Sequence, residues 1–187
     1  MNFRVRSALV TTCVALCALL TGCNTSSPNI ESRLTPGQIL DDELLTEAIR
    51  VAIRDEFRSK DLPHQVNTLV LDGRVFLIGS VQEQSHKDLV SDIASDFRHV
   101  RSVQNELHVG ELRKVGEANG DRTIATSARL ALLNDPRTRA QEFNLYTHKG
   151  SVYLIGITPR SVGAAAADVV KYVRGVKTVV LLIDYLD

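Results

Sequence analysis

The chain has 187 residues, with 22 Lys and Arg against 22 Asp and Glu for a formal net charge of zero, and its aromatics are five Phe, four Tyr and no Trp. A neutral balance with so few rings provides neither the basic stripe nor the stacking platform that a nucleic-acid partner needs. At 44% hydrophobic and 24% charged residues, the composition is that of a globular protein, long enough for one or two small domains.

Residues 1–22 read as a targeting segment. Arg4 and Arg6 precede an apolar run, Ala8 to Leu20, of about 13 residues. That length suits a signal-peptide core and falls short of the ~20 residues that span a bilayer. The run closes on Leu20-Thr21-Gly22-Cys23, which resembles a bacterial lipobox; the resemblance implies cleavage before Cys23 and acylation of that residue. Cys13 and Cys17 would leave with the leader, so the mature chain would keep one cysteine of the three and could form no internal disulfide or cysteine metal site. Asn24 after the cysteine, by resemblance to proteobacterial lipoprotein sorting, implies the periplasmic face of the outer membrane. Cys23 and residues 24–40, NTSSPNIESRLTPGQIL, show no sustained periodicity and read as a tether that would reach roughly 20–25 Å.

From residue 41 the chain says one thing twice. Asp41 or Asp42 can cap a helix whose apolar positions Leu45, Ala48, Ile49, Ala52, Ile53 and Phe57 share a face. Two extended runs follow, Val66–Leu71 and Val75–Val81, joined by Asp72-Gly73, a hairpin signal. A second helix carries Leu89, Val90, Ile93, Ala94 and Phe97, and Val103–Val109 reads as a closing strand. The second copy begins near Asp121, with Ile124, Ala128, Ala131 and Leu132 on its helix. Phe143–Thr147 and Val152–Ile157 then flank Lys149-Gly150. Thr158-Pro159 looks like a helix start, Val162, Ala166, Val169, Val170 and Val173 make the next stripe, and Val179–Tyr185 closes the copy. The two copies are offset by 79 residues at Ala48/Ser127, 77 at Gly73/Gly150 and 76 at His99/Gly175, the drift left by small loop deletions. The expected fold class is α+β, with two tandem αββαβ modules at 41–110 and 119–187, a linker at 111–118, and in each module two helices on one face of a small three-stranded mixed sheet.

Asp72-Gly73-x-Val75-x-Leu77-x-Gly79-x-Val81 with Val100-x-x-Val103-x-Asn105-x-Leu107-x-Val109, and Gly150-x-Val152-x-Leu154-x-Gly156 with Gly175-Val176-x-x-Val179, resemble the BON domain family of bacterial envelope proteins. Lipobox, tether and two modules together resemble its lipid-anchored outer-membrane members. Val179-Val180-Leu181 departs from the usual valine-asparagine continuation, which puts a polar contact of the second module in doubt. For the outer-membrane members the resemblance implies phospholipid contact through the first helix of the second module, here Thr123, Ile124, Ser127, Arg129 and Leu130, beside which Arg122 adds charge. That helix has no aromatic anchor of the kind enriched at bilayer interfaces. The competing reading is that Ile124 and Leu130 are core and Arg129 is a solvated charge.

Charge favours the same module. Residues 41–110 hold 13 acidic and 8 basic residues, whereas 119–187 hold 6 and 9. Only the second would be drawn to an anionic bilayer, at about 1 kcal/mol per cation close to the surface.

Strand alternation puts Val75, Leu77, Gly79 and Val81 on one face, where Gly79 would let a helix approach. Phe76 and Ile78, like Tyr153 and Ile155, stand on the other face. A two-layer module can leave that face wet only if it is polar, so these four residues imply a cover, either the other module or a partner protein. Neither glycine phrase continues to the Lys-Ser/Thr of a phosphate loop.

Chemistry for an enzyme is thin. His64, His86, His99, His108 and His148 lack HxxxH spacing, no GxSxG occurs, and no cofactor motif is present. Asp88, Asp92 and Asp96 recur once per turn and read as a solvated acidic stripe, whose functional version is a weak cation site or a basic protein partner. No catalytic residue and no metal ligand is expected. Two functions remain: an outer-membrane-anchored lipoprotein that binds anionic phospholipid and supports envelope integrity, or a scaffold that recruits an envelope assembly, secretion or wall-remodelling protein.

Overall fold

The computed structural model describes residues 34–186. The leader, Cys23 and residues 24–33 of the expected tether lie outside the described residues. Eleven elements follow, and apart from one 3-10 turn they repeat in the expected order: α1 (Pro36–Ser59), β1 (His64–Leu71), β2 (Arg74–Val81), α2 (Gln84–Ser95) and β3 (Ser102–Val109), then α3 (Val115–Asn134), a 3-10 turn (Ala140–Glu142), β4 (Phe143–His148), β5 (Ser151–Thr158), α4 (Arg160–Val170) and β6 (Thr178–Tyr185). Each sheet is mixed. β1–β2 and β4–β5 are antiparallel hairpins, whereas β2–β3 and β5–β6 are parallel, as a helical crossover between neighbouring strands requires.

Both first helices start earlier than the sequence suggests, and for one reason. Asp42, a candidate cap, and Asp121, near which the sequence pattern starts the second copy, each sit inside their helix and reach across to the hairpin turn. Asp42 accepts from the amides of Asp72 (2.6 Å) and Gly73 (3.0 Å). Asp121 accepts from those of Lys149 (2.9 Å) and Gly150 (2.8 Å). Both turn residues have positive φ in each hairpin (51° and 70°, then 51° and 84°), the conformation of a type I′ turn. Its amides have no partner in the ladder, and the helix supplies a carboxylate to them. The cap of α1 is instead Thr35, whose hydroxyl accepts from the Gln38 amide (3.2 Å) while the Gln38 side chain accepts from the Thr35 amide (2.9 Å). The segment 36–40, read as tether, is therefore helix, and so are residues 115–118, read as linker.

Two further expectations are corrected. Thr158-Pro159 does not open α4 at the proline; Thr158 ends β5, its hydroxyl donating to buried Glu142 (2.5 Å), and the helix begins at Arg160. Gly79 makes room for a strand and not for a helix. At φ 142°, a Cβ on it would lie 1.7 Å from the Gln65 carbonyl oxygen of β1; one on Gly156 would lie 2.2 Å from the Glu142 carbonyl oxygen.

The helices pack on the inner sheet faces. Ile49, Ile53, Phe57, Val75, Leu77, Val81, Val90, Ala94 and Leu107 form the first core, and Ile124, Ala128, Leu132, Val152, Leu154, Val162, Ala166 and Val170 the second. The departure at Leu181 has a visible effect. Asn105 bridges α2 to β3, its amide group donating to the Lys87 carbonyl (2.9 Å) and the Ser91 hydroxyl (2.7 Å). Its counterpart Leu181 packs apolar against the second core.

Candidate functional site

The outer sheet faces meet. Phe76 and Ile78 of the first module and Tyr153, Ile155 and Leu182 of the second join Leu71 in a third core, with Leu34, Leu69, Tyr146, Ile157 and Val180 packed around it. Phe76 and Ile78 are 2% exposed, Tyr153 8% and Ile155 0%. These four are the cover that each module gives the other, so they form no docking face for a partner protein. Apolar area removed from water on two sheets at once is the driving force.

Polar groups rim and pierce this contact. Ser80 of β2 and His148 of β4 share a buried hydrogen bond of 2.5 Å across it. Burial, with the Arg113 charge next, pushes the His148 imidazole down to about 4. Arg113, between the modules, is gripped from both sides. Its backbone amide donates to Gln65 Oε1 (2.8 Å) and its carbonyl accepts from Gln65 Nε2 (2.9 Å), while its guanidinium donates to Asp121 Oδ2 (2.9 Å). Burial opposes ionisation of Asp121, but the Arg113 hydrogen bond and the two turn amides outweigh it and hold the carboxyl below its usual range. At the far edge, Arg74 pairs with Asp184 at 3.2 Å. Sequence reasoning missed Ser80, Arg113 and His148. The only signal for Asp121 was its recurrence 79 residues after Asp42, the same offset as the helices themselves.

With the outer faces taken, the helix layer of the second module is what remains of the expected site. Arg122, Thr123, Ser127, Arg129 and Leu130 are exposed on α3. Ile124 is not one of them; at 8% exposure it belongs to the core, because its position faces the sheet one turn from Ala128. Leu133, which the sequence reading left out, is 61% exposed beside Leu130 at 54%. These two leucines, Ala125, Thr126, Arg129 and Leu145 line a shallow groove of about 250 Å³ between α3 and the edge strand β4. Arg122 donates to the Asn119 side-chain oxygen at 3.3 Å, and neither Arg122 nor Arg129 forms an ion pair among the described residues. At the helix end Asp135 is held down to about 2 by hydrogen bonds from Arg137, which neutralises that acid's effect on the patch.

Elsewhere the candidates stay apart. Asp88, Asp92 and Asp96 are exposed on or just after α2. His64 and His86 stack edge-on against Phe57, at 4.8 and 5.8 Å between ring centroids. Among the described residues no group of three His, Cys, Asp or Glu side chains could hold a metal ion, and no helix is long and apolar enough to cross a membrane.

A family profile for the BON domain matches residues 41–111 and again 120–187. The chain belongs to the BON-domain family. This BON protein is 31% identical over 150 residues to the 21 kDa hemolysin of Actinobacillus pleuropneumoniae, covering 80% of this chain and 77% of that one. It is 31% identical over 153 residues to the outer membrane lipoprotein DolP of Haemophilus influenzae, covering 82% and 79%, and 26% identical over 148 residues to the osmotically-inducible protein Y of Escherichia coli, covering 76% and 72%. Among solved structures, the C-terminal domain of CdsD, a structural protein of the type III secretion system of Chlamydia trachomatis, is similar at 12% identity with a TM-score of 0.32, covering 73% of this chain and 96% of that one.

Proposed function

We propose that this BON protein is a non-enzymatic lipoprotein of the cell envelope, held through acylated Cys23 at the periplasmic face of the outer membrane, whose second module binds anionic phospholipid and thereby supports envelope integrity. The carrying observation is α3, where Leu130 and Leu133 are exposed next to two arginines, Arg122 and Arg129, that have no carboxylate partner among the described residues. Apolar groups flanked by cations suit the headgroup boundary of an anionic bilayer. Support also comes from the lipobox, from the acidic-to-basic contrast between the modules, and from a relative that is named an outer membrane lipoprotein. The acyl chains would anchor and the helix would add a reversible contact sensitive to lipid charge. The scaffold alternative loses its strongest surface, since Phe76, Ile78, Tyr153 and Ile155 are buried between the modules.

The test is co-sedimentation of residues 24–187, without acyl chains, with phosphatidylglycerol-containing and pure phosphatidylcholine vesicles. Binding to the anionic vesicles that weakens with salt is expected. Equal pelleting with both, or with neither, contradicts the reading.

A further inference from the structure

The lipid surface proposed for α3 lacks an aromatic group, and the fold supplies one from elsewhere. Tyr172, in the turn after α4, is 82% exposed, more so than any other large apolar side chain described. It is thrust outward by its neighbours: Val173 and Val176 pack into the second core, which leaves the ring no inward direction. Lys171 Nζ lies 5.1 Å from the ring centroid, and the stretch Lys171-Tyr172-Val173-Arg174-Gly175-Val176-Lys177 holds three cations and no carboxylate. Asp168 pairs with Lys171 and is the acid nearest in sequence.

The turn is fixed beside α3. Gly175 has φ 94°, and a Cβ on it would come 3.1 Å from Ile124 Cδ1. Both therefore belong to the helix layer, on the side of the second module away from the first.

The first module provides a comparison within the molecule. Its matching turn has the same backbone: Val100 donates to the Phe97 carbonyl as Val176 does to that of Val173, and Arg101 to the Gly73 carbonyl as Lys177 does to that of Gly150. Yet at the position of Tyr172 it carries Asp96, 76 residues earlier. One backbone bears an acid in the acidic module and a tyrosine between cations in the basic one. Packing does not explain the tyrosine, because the ring packs on little.

We propose that Tyr172 is a second bilayer contact, an aromatic anchor that enters the interface of an anionic membrane beside α3 while Arg174 and Lys177 face the headgroups. This rests on the phospholipid reading of α3. A tyrosine has an apolar body and a polar tip, the combination that sits at the headgroup level, and charge complementarity selects the anionic surface.

Because the chain has no tryptophan, single replacements report one site each. The chain from residue 24 onward contains every described element, and in it Tyr172→Trp, Leu130→Trp and Asp96→Trp are compared on phosphatidylglycerol-containing vesicles by emission wavelength and by quenching from brominated acyl chains. At residue 172 a blue shift and quenching are expected, and at residue 96 neither. Tyr172→Ser is expected to weaken partitioning by about tenfold with an unchanged thermal midpoint, since one ring is withdrawn from the interface. If residue 130 responds and 172 does not, the anchor is refuted and the α3 contact stands. If no position responds and nothing co-sediments, the phospholipid reading itself has failed.

Discussion

Acidification should loosen this protein through one side chain. His148 is 3% exposed, held at Nε2 by Ser80, and its Nδ1 has no hydrogen-bond partner. Burial disfavours a proton there most, the charges of Arg113, Lys149 and His108 add to it and only Asp121 opposes them, so the folded imidazole is pushed down to about 4 from an ordinary 6.5. The unfolded chain thus binds a proton that the folded chain refuses between these values, and stability falls as pH drops through that window. The gap between about 4 and 6.5, at about 1.36 kcal/mol per pH unit, is about 3.4 kcal/mol in full, of which about 3 kcal/mol is lost by pH 4 and about 1.4 kcal/mol by pH 5.5. Nearly all of the stabilisation is present at about pH 7.5, and below about pH 3 no more is lost through this group. The carboxylates with lowered values titrate below the window, whereas half-buried His64, also lowered by its burial, adds a loss of the same sign. The assay is urea unfolding at pH 7.5, 5.5 and 4 for the parent and His148→Gln. The parent is expected to lose about 3 kcal/mol more than the variant over that range. Parallel profiles would refute the argument, since His148 would then be hydrated or paired in the folded state.

Asp121→Ala leaves two turn amides without their acceptor and the Arg113 guanidinium with the longer contact to the Thr147 carbonyl (3.4 Å) in place of its ion pair, and should cost about 3 kcal/mol in urea unfolding. Asp42→Ala, at the same place in the first module but with no arginine attached, should cost about 1 kcal/mol. Gly79→Ala forces a Cβ onto the Gln65 carbonyl at φ 142°, so β1 must move off β2; loss of the folded far-UV signal or a cost above about 3 kcal/mol is expected.

The sequence displays the repeat, both hairpins and the order of elements, because each depends on local pattern: Asp72-Gly73 can hardly be anything but a turn, and Phe76 next to Leu77 can only mark two opposite faces. What it conceals is long-range. Asp42 and Asp121 mimic helix starts, since the amides they bind lie about 30 residues onward in each case. Gly116 and Gly120 argue against helix locally, yet α3 contains both, with open space around each. Ser80 and His148 are 68 residues apart and meet only when the two sheets close on each other. At the candidate site, the exposure of Arg122, Arg129 and Leu130 accords with helical spacing. The burial of Ile124 depends on how α3 is rotated against its sheet, and spacing along one helix leaves that rotation open by a residue.

The most direct test of the central proposal is charge reversal on α3. Arg122→Glu with Arg129→Glu, compared with Arg54→Glu and Arg58→Glu on α1, should leave urea stability within about 0.5 kcal/mol in both variants, because all four residues are exposed. Vesicle co-sedimentation at low and moderate salt then separates them. Loss of anionic binding in the α3 variant alone, with the α1 variant like the parent, is the expected result. Equal loss in both, or retention in both, would contradict recognition of the anionic bilayer by the arginines of α3.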